Sequence, residues 1–324
     1  MKRREFITLL GGATAGWTLT ARAQQSADKI ARIGFLQGTH TETAAALIQG
    51  LQDAGYIDGR NARIETRFFA TAFDRLGEFA NELVGLQCDV IVATAPYSIR
   101  AAMIATRTIP IVGIDLESDP VATGWATSLN RPGGNLTGLF LDIPELGGKQ
   151  IEFLKETLPR LSRLAVLWDS TIGAVQFGAT EAAASSVAGL QLQSLPIRQP
   201  ADISEAFERA TSARVDGMVI LSSPLILAER ARISDLALKA RLPMISLFTL
   251  LPKAGGLMAY GPNLPDMYKR AATFVDRILK GARVAEMPIE RPTRFDLVIN
   301  LKTAKALGLT IPPTLLARAD EVID

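Results

Sequence analysis

The chain has 324 residues, 48% hydrophobic and 21% charged, a length that allows two domains and a makeup that excludes both a disordered chain and a bundle of membrane spans. The formal net charge of +2 is concentrated at the start, where Lys2, Arg3, Arg4 and Arg22 are offset only by Glu5; without residues 1–23 there remain 31 basic and 32 acidic residues, a net charge of −1. No basic surplus is left to neutralise a phosphate backbone, so nucleic acid is not an expected partner.

Residues 1–23 have the features of a cleavable export signal: a basic start, a modestly apolar stretch from Phe6 to Leu19, and Ala21-Arg22-Ala23 as an A-x-A cleavage site. Lys2-Arg3-Arg4-Glu5-Phe6-Ile7 resembles a twin-arginine motif, with Lys2 where Ser or Thr is more usual. Gly11, Gly12 and Gly16 break the apolar stretch, which is too short to span about 30 Å of hydrocarbon. Export to the periplasm with cleavage near Ala23 is therefore expected, with no stable membrane insertion afterwards. Cys88 is the one cysteine, so no intramolecular disulfide framework exists and stability must come from a packed core.

Past the leader, strand and helix signals alternate. Strands are predicted at 31–36, 62–68, 90–94 and 109–114, with helices at 43–54, 73–86 and 98–106 between them. The strands at 90–94 and 109–114 are unalternating aliphatic runs, the signature of parallel strands buried between helix layers. The cluster Asn130-Arg131-Pro132-Gly133-Gly134-Asn135 then leads into a crossover at 136–141. Beyond it the pattern resumes, with helices at 148–158, 175–188, 203–213 and 227–240 and strands at 164–168, 192–196, 217–221 and 244–248. A return crossover is predicted at 255–260, a helix capping the first lobe at 266–279, and a third crossover at 294–300.

The strands of the two halves echo one another about 130 residues apart. Ile30–Leu36 matches Leu161–Leu167, Asp89–Pro96 matches Asp216–Pro224, and Thr108–Ile114 matches Arg241–Leu247. The predicted fold is α/β: two similar doubly wound parallel-sheet lobes joined by a three-strand hinge, lobe 1 from 28–138 plus 262–292 and lobe 2 from 139–261 plus 293–324. A hinge of this kind absorbs closure around a ligand.

The segment from Glu290 to Leu309, ERPTRFDLVINLKTAKALGL, followed by Ile311-Pro312-Pro313, resembles the ending of ABC transporter substrate-binding proteins of the tryptophan/tyrosine-binding type. Asp119-Pro120-Val121 and the run Arg131–Gly138 resemble their middle segment, and Met1–Gln24 their leaders. The similarity covers essentially the whole chain. It implies a type I periplasmic-binding-protein fold and delivery of a solute to an ABC-type permease in the inner membrane. Ile114-Asp115-Leu116-Glu117-Ser118 departs from it, being more acidic than the small, Gly-rich stretch of the family.

Ligands of open parallel sheets meet the loops at the carboxyl ends of strands. In lobe 1 that rule selects Thr39, His40, Tyr97, Ser98, Asp115 and Glu117, and in lobe 2 Trp168, Asp169, Ser222, Ser223 and Phe248; Tyr260 lies at a crossover. His40, the one histidine, can donate and accept a hydrogen bond, though a solvated loop serves equally well. Tyr97 and Trp168 are placed to sandwich a flat solute, or else to pack beneath their own loops. Ser222 and Ser223 suit either a ligand carboxylate or plain helix capping. Asp115, Glu117 and Asp169 are candidates to pair with an ammonium group. No cofactor or metal site is expected, since neither His40 nor Cys88 has a companion of its own kind. A nucleotide-binding glycine loop after a strand and a nucleophile elbow are also missing. The expectation is a monomeric periplasmic protein that captures a small organic molecule, an amino acid or aromatic-like compound, and is not an enzyme. An enzyme on the same scaffold and a sensory ligand-binding protein stand as alternatives.

Overall fold

The computed structural model describes residues 30–38, 41–69, 72–141 and 144–324. The leader, Thr39 and His40 lie outside the described residues.

Lobe 1 is built on a five-stranded parallel sheet of order β2-β1-β3-β4-β5. Its strands are β1 (Ala31–Gln37), β2 (Ala62–Phe68), β3 (Val90–Thr94), β4 (Ile111–Asp115) and β5 (Leu136–Phe140). The last three are buried along their whole length, which is why they carry no polar alternation. Helices α1 (Thr41–Asp53), α2 (Leu76–Gly85) and α3 (Ala95–Ala105) connect them. Cys88 is buried beside this sheet, and burial pushes its thiol up to about 11, out of reach of ordinary thiolate chemistry.

Lobe 2 holds α4 (Pro144–Thr157), β6 (Arg163–Asp169), α5 (Ala174–Ser185), β7 (Gln191–Ile197), α6 (Asp202–Ser212) and β8 (Gly217–Ile220). It continues with α7 (Pro224–Ala228), α8 (Arg230–Lys239), β9 (Met244–Ser246), α9 (Leu250–Lys253) and β10 (Met258–Pro262). From there α10 (Leu264–Leu279) returns to lobe 1. Its face of Met267, Tyr268, Ala271, Phe274 and Val275 is buried, packed against α1 and the sheet. Finally β11 (Phe295–Asn300), α11 (Leu301–Leu307), α12 (Pro313–Leu316) and β12 (Glu321–Ile323) complete a seven-stranded sheet of order β12-β11-β10-β9-β8-β6-β7.

The chain passes between the lobes three times: from β5 to α4, from β10 to α10, and from Glu290 to β11. Residues 287–290 run beside β5, with Phe140 donating to the Glu290 carbonyl at 3.0 Å and Glu290 donating to the Gly138 carbonyl at 2.9 Å. The segment predicted as a third crossover is the body of β11 itself, paired antiparallel with β10 inside the lobe 2 sheet. A chain re-entering that sheet from the opposite lobe runs down it rather than up, a direction that residue composition does not encode.

Helix boundaries also differ from expectation in ways the prolines explain. Helices α3 and α10 begin earlier than predicted, because Pro96 and Pro265 occupy the first turn, where no amide is needed. The helix predicted at 227–240 is two helices, broken at Glu229, and Pro224 starts the first of them. Asp119 caps its turn through Oδ1, which accepts from Val121 N at 2.8 Å and Ala122 N at 3.1 Å. One cluster of buried apolar side chains runs without interruption from Ile33 and Val92 in lobe 1 to Phe248 and Met218 in lobe 2, so the two lobes are packed against each other.

Candidate functional site

A cavity of about 70 Å³ lies where the carboxyl ends of the strands in the two lobes face each other. Lobe 1 contributes Gly38, Thr43 and Phe69 from the edges of β1, α1 and β2, with Thr94 and Ala95 where β3 hands over to α3. The segment Ile114, Leu116 and Glu117 follows β4, and Leu264 and Tyr268 come from the first turns of α10. Lobe 2 closes it with Pro224 and Leu227 of α7 and Phe248 after β9. The wall is therefore largely apolar, with one ionisable carboxyl, Glu117, and one phenol, Tyr268, among its described residues.

The turn at Ala95 places that wall. Ala95 has φ of 66°, a left-handed conformation that costs a non-glycine residue about 1–3 kcal/mol and that the surrounding packing must enforce. With it, β3 enters α3 with no intervening loop, and Thr94 and Ala95 stand at the cavity surface. The Ser98 hydroxyl donates to the Thr94 carbonyl and so holds the turn from inside the helix. Tyr268 is buried; burial pushes its phenol up to about 12, opposed by hydrogen bonds with Thr43 and Thr94.

Two polar seams cross between the lobes. In the first, Ser222 Oγ of lobe 2 donates to Glu117 Oε1 of lobe 1. Gln176 of α5 supports it, donating to the Leu116 carbonyl at 3.3 Å and accepting from the Ser222 amide at 2.9 Å. In the second, the Tyr97 and Thr171 hydroxyls share a hydrogen bond, and Thr171 in turn bonds Asp169 Oδ1 through both its hydroxyl and its amide. These contacts exist only while the lobes are together.

The first seam carries unusual electrostatics. Asp115 and Glu117 are 0% and 3% exposed. Burial raises both carboxyls above the ordinary range, and Glu117 is raised further by the adjacent Asp115 charge and by its hydrogen bond to that group. Asp115 Oδ1 accepts from the Glu117 amide at 2.8 Å, whereas Oδ2 is buried with no donor.

Of the residues selected from the sequence, Glu117 and Phe248 line the cavity. Asp115 lies directly behind Glu117, and Ser222 reaches Glu117 from the opposite lobe. Ser223 caps α7, its hydroxyl accepting from Ile226 N at 3.0 Å. Trp168 stacks on Phe177 with ring centroids 4.6 Å apart and donates Nε1 to Ser194 Oγ at 2.9 Å, so its indole is spent within lobe 2. The Tyr260 ring is likewise held within lobe 2 by Phe153 and Phe295. Tyr97 and Asp169 belong to the second seam, Ser98 to the α3 turn. Thr43, Phe69, Leu227, Leu264 and Tyr268 line the cavity and were not selected. Four of these lie on helices, where Leu227, Leu264 and Tyr268, apolar side chains at helical spacing, look like ordinary core. The one signal for them was proline at a helix start, at Pro224 and Pro265.

Two α/β lobes of this topology, crossed three times by the chain and closed over a cavity at their strand ends, define a type I periplasmic-binding-protein fold. No helix among the described residues is long and apolar enough to cross a membrane. Among solved structures, a conserved domain protein from Vibrio cholerae superposes with a TM-score of 0.85 at 26% identity, covering 91% of this chain and 100% of the other. An ABC domain from Streptococcus pneumonia in complex with L-Trp superposes with a TM-score of 0.83 at 25% identity, covering 90% and 99%. A tyrosine-binding protein of Clostridioides difficile is 24% identical over 266 residues, 81% of this chain and 75% of that protein. Residues 29–323 match the ABC transporter substrate binding protein family, to which this chain belongs.

Proposed function

We propose that this protein is exported to the periplasm, captures a small amino acid bearing an apolar or aromatic side chain between its lobes, and presents the closed form to an ABC-type permease. The observation that carries the reading is the interlobe cavity, whose largely apolar wall has Glu117 as its one carboxyl among the described residues and is completed from both lobes. A solute seated there touches Phe248 and Leu227 only when the lobes are closed. It therefore favours closure by the difference between its contacts in the two states, and no bond in it need change. The tyrosine-binding relative and the L-Trp complex of similar structure support the same solute class.

Thermal melting of the mature protein against a panel of amino acids, aromatic acids and sugars tests this. A ligand at one hundred times its Kd adds about 2.7 kcal/mol to the native state, and a clear upward shift in Tm is expected with amino acids carrying apolar side chains. A panel without any shift, or turnover of the bound solute seen by mass spectrometry, overturns the reading.

A further inference from the structure

The carboxyl pair behind the cavity carries the argument further and, resting on the solute-capture reading, specifies the chemistry of the solute. Asp115 and Glu117 are both buried and the Glu117 amide donates to Asp115 Oδ1 at 2.8 Å, yet Asp115 Oδ2 has no donor and Glu117 opens onto the cavity. The titratable groups around them are Tyr97 of α3, Tyr268 of α10, and Asp169 of β6 beside Tyr97. From lobe 2, Ser222 offers a neutral hydroxyl to Glu117 and Gln176 a neutral amide to the adjoining backbone. No Lys or Arg lines the cavity among the described residues.

Two buried carboxyls in contact cannot both ionise without a cation, so in its absence they hold one proton between them. We propose that Glu117, with Asp115 behind it, selects a solute bearing an ammonium group, and that the incoming cation displaces this shared proton to solvent. The ammonium supplies in the pocket the positive charge that the protein withholds. A solute whose only charge is a carboxylate meets a like-charged pair and, among the described residues, no Lys or Arg. The cavity therefore discriminates on the amine first and on the apolar side chain second, and Glu117 is the specificity-determining residue.

Isothermal titration of the mature protein with two matched sets tests this: L-tryptophan, tryptamine and indole-3-propionate, and L-leucine, isopentylamine and 4-methylpentanoate. Titrated at a series of pH values upward from 4.5, the ordinary value for a glutamate, the amine-bearing members of at least one set should bind and the carboxylate-only member should be weaker by about 100-fold or more. Repeating the titration in buffers of different ionisation enthalpy should show net release of a proton, absent for Glu117→Gln. That variant keeps an acceptor for Ser222 and loses no volume, so it should melt at or above the wild-type temperature while losing about 100-fold in affinity for the amine. Equal binding of the carboxylate-only member, binding with no proton release, or an unaffected Glu117→Gln each overturns the inference and leaves solute capture standing. If none of the six solutes binds, solute capture as proposed falls, and this inference with it.

Discussion

After β4 the first lobe carries two buried carboxyls, Asp115 and Glu117; at the matching position after β9 the second lobe carries Phe248 and then Leu250, with no charge at all. The strands leading to these two places share one apolar pattern, and both are buried. The scaffold is duplicated and the chemistry is not. One lobe holds the buried carboxyls proposed above to read the ligand, and the other supplies an apolar cover with one hydroxyl and one amide across the seam. A cleft with charge on both faces would repel itself when empty or need its own counter-ions, whereas this division lets the apolar face close over the charged one.

The sharpest way to break that comparison is at the scaffold, where the lobes should respond alike. A Cβ added at Gly138 of β5 or at Gly261 of β10 would stand 2.0 Å from the carbonyl oxygen of Gly113 or Leu247 on the neighbouring strand. Gly138→Ala and Gly261→Ala should each cost at least about 3 kcal/mol by chemical denaturation, since the obstruction is backbone and cannot rotate away. A small loss at one site alone would show that the lobes are not equivalent in scaffold.

The strand ends should respond unequally. Ser222→Ala leaves Glu117 Oε1 without its donor in a buried setting and should cost about 1–3 kcal/mol, whereas Glu117→Gln should cost little. A double-mutant cycle on the pair isolates the coupling, and a value near zero would mean that the seam does not hold the lobes together.

Acidity provides a third test. The ordinary pKa of a glutamate is 4.5, and in the folded protein burial and Asp115 raise that of Glu117 well above it. The native state thus binds more protons than the unfolded chain above that pH. The stability this gives is complete below about pH 4.5 and is lost as pH rises through the folded-state titration. The melting temperature of ligand-free protein should fall over that window, and Glu117→Gln should flatten much of the slope. A wild-type profile that rises there instead would contradict the raised pKa.

The smallest effects are expected away from the cleft. Trp168→Phe should leave solute affinity within about twofold, because the indole is occupied by Phe177 and Ser194 within lobe 2. Arg270→Ala, which breaks an exposed pair with Glu290 at 2.7 Å, should change stability by less than about 1 kcal/mol. A large loss of affinity in Trp168→Phe would move the binding site toward β6 and away from Phe248.

Much of this protein was legible in one dimension. The unalternating runs identified the buried parallel strands, the repeated pattern identified two lobes, and the strand-end rule reached Glu117 and Phe248, because burial on both faces and loop position leave local marks in composition. Other features had no local mark. That β11 runs antiparallel, that Leu227, Leu264 and Tyr268 face a cavity instead of core, and that Trp168 and Tyr260 turn away from it depend on which surfaces meet when residues far apart in the chain pack together. The carboxyl pair shows the division most clearly. Asp115 and Glu117 can be read from the sequence as two acids in a loop, but their shared burial and the approach of Ser222 from 105 positions away belong to the closed arrangement of the lobes. That arrangement raises both carboxyls above the ordinary range, since the energy of a charge depends on what surrounds it in space.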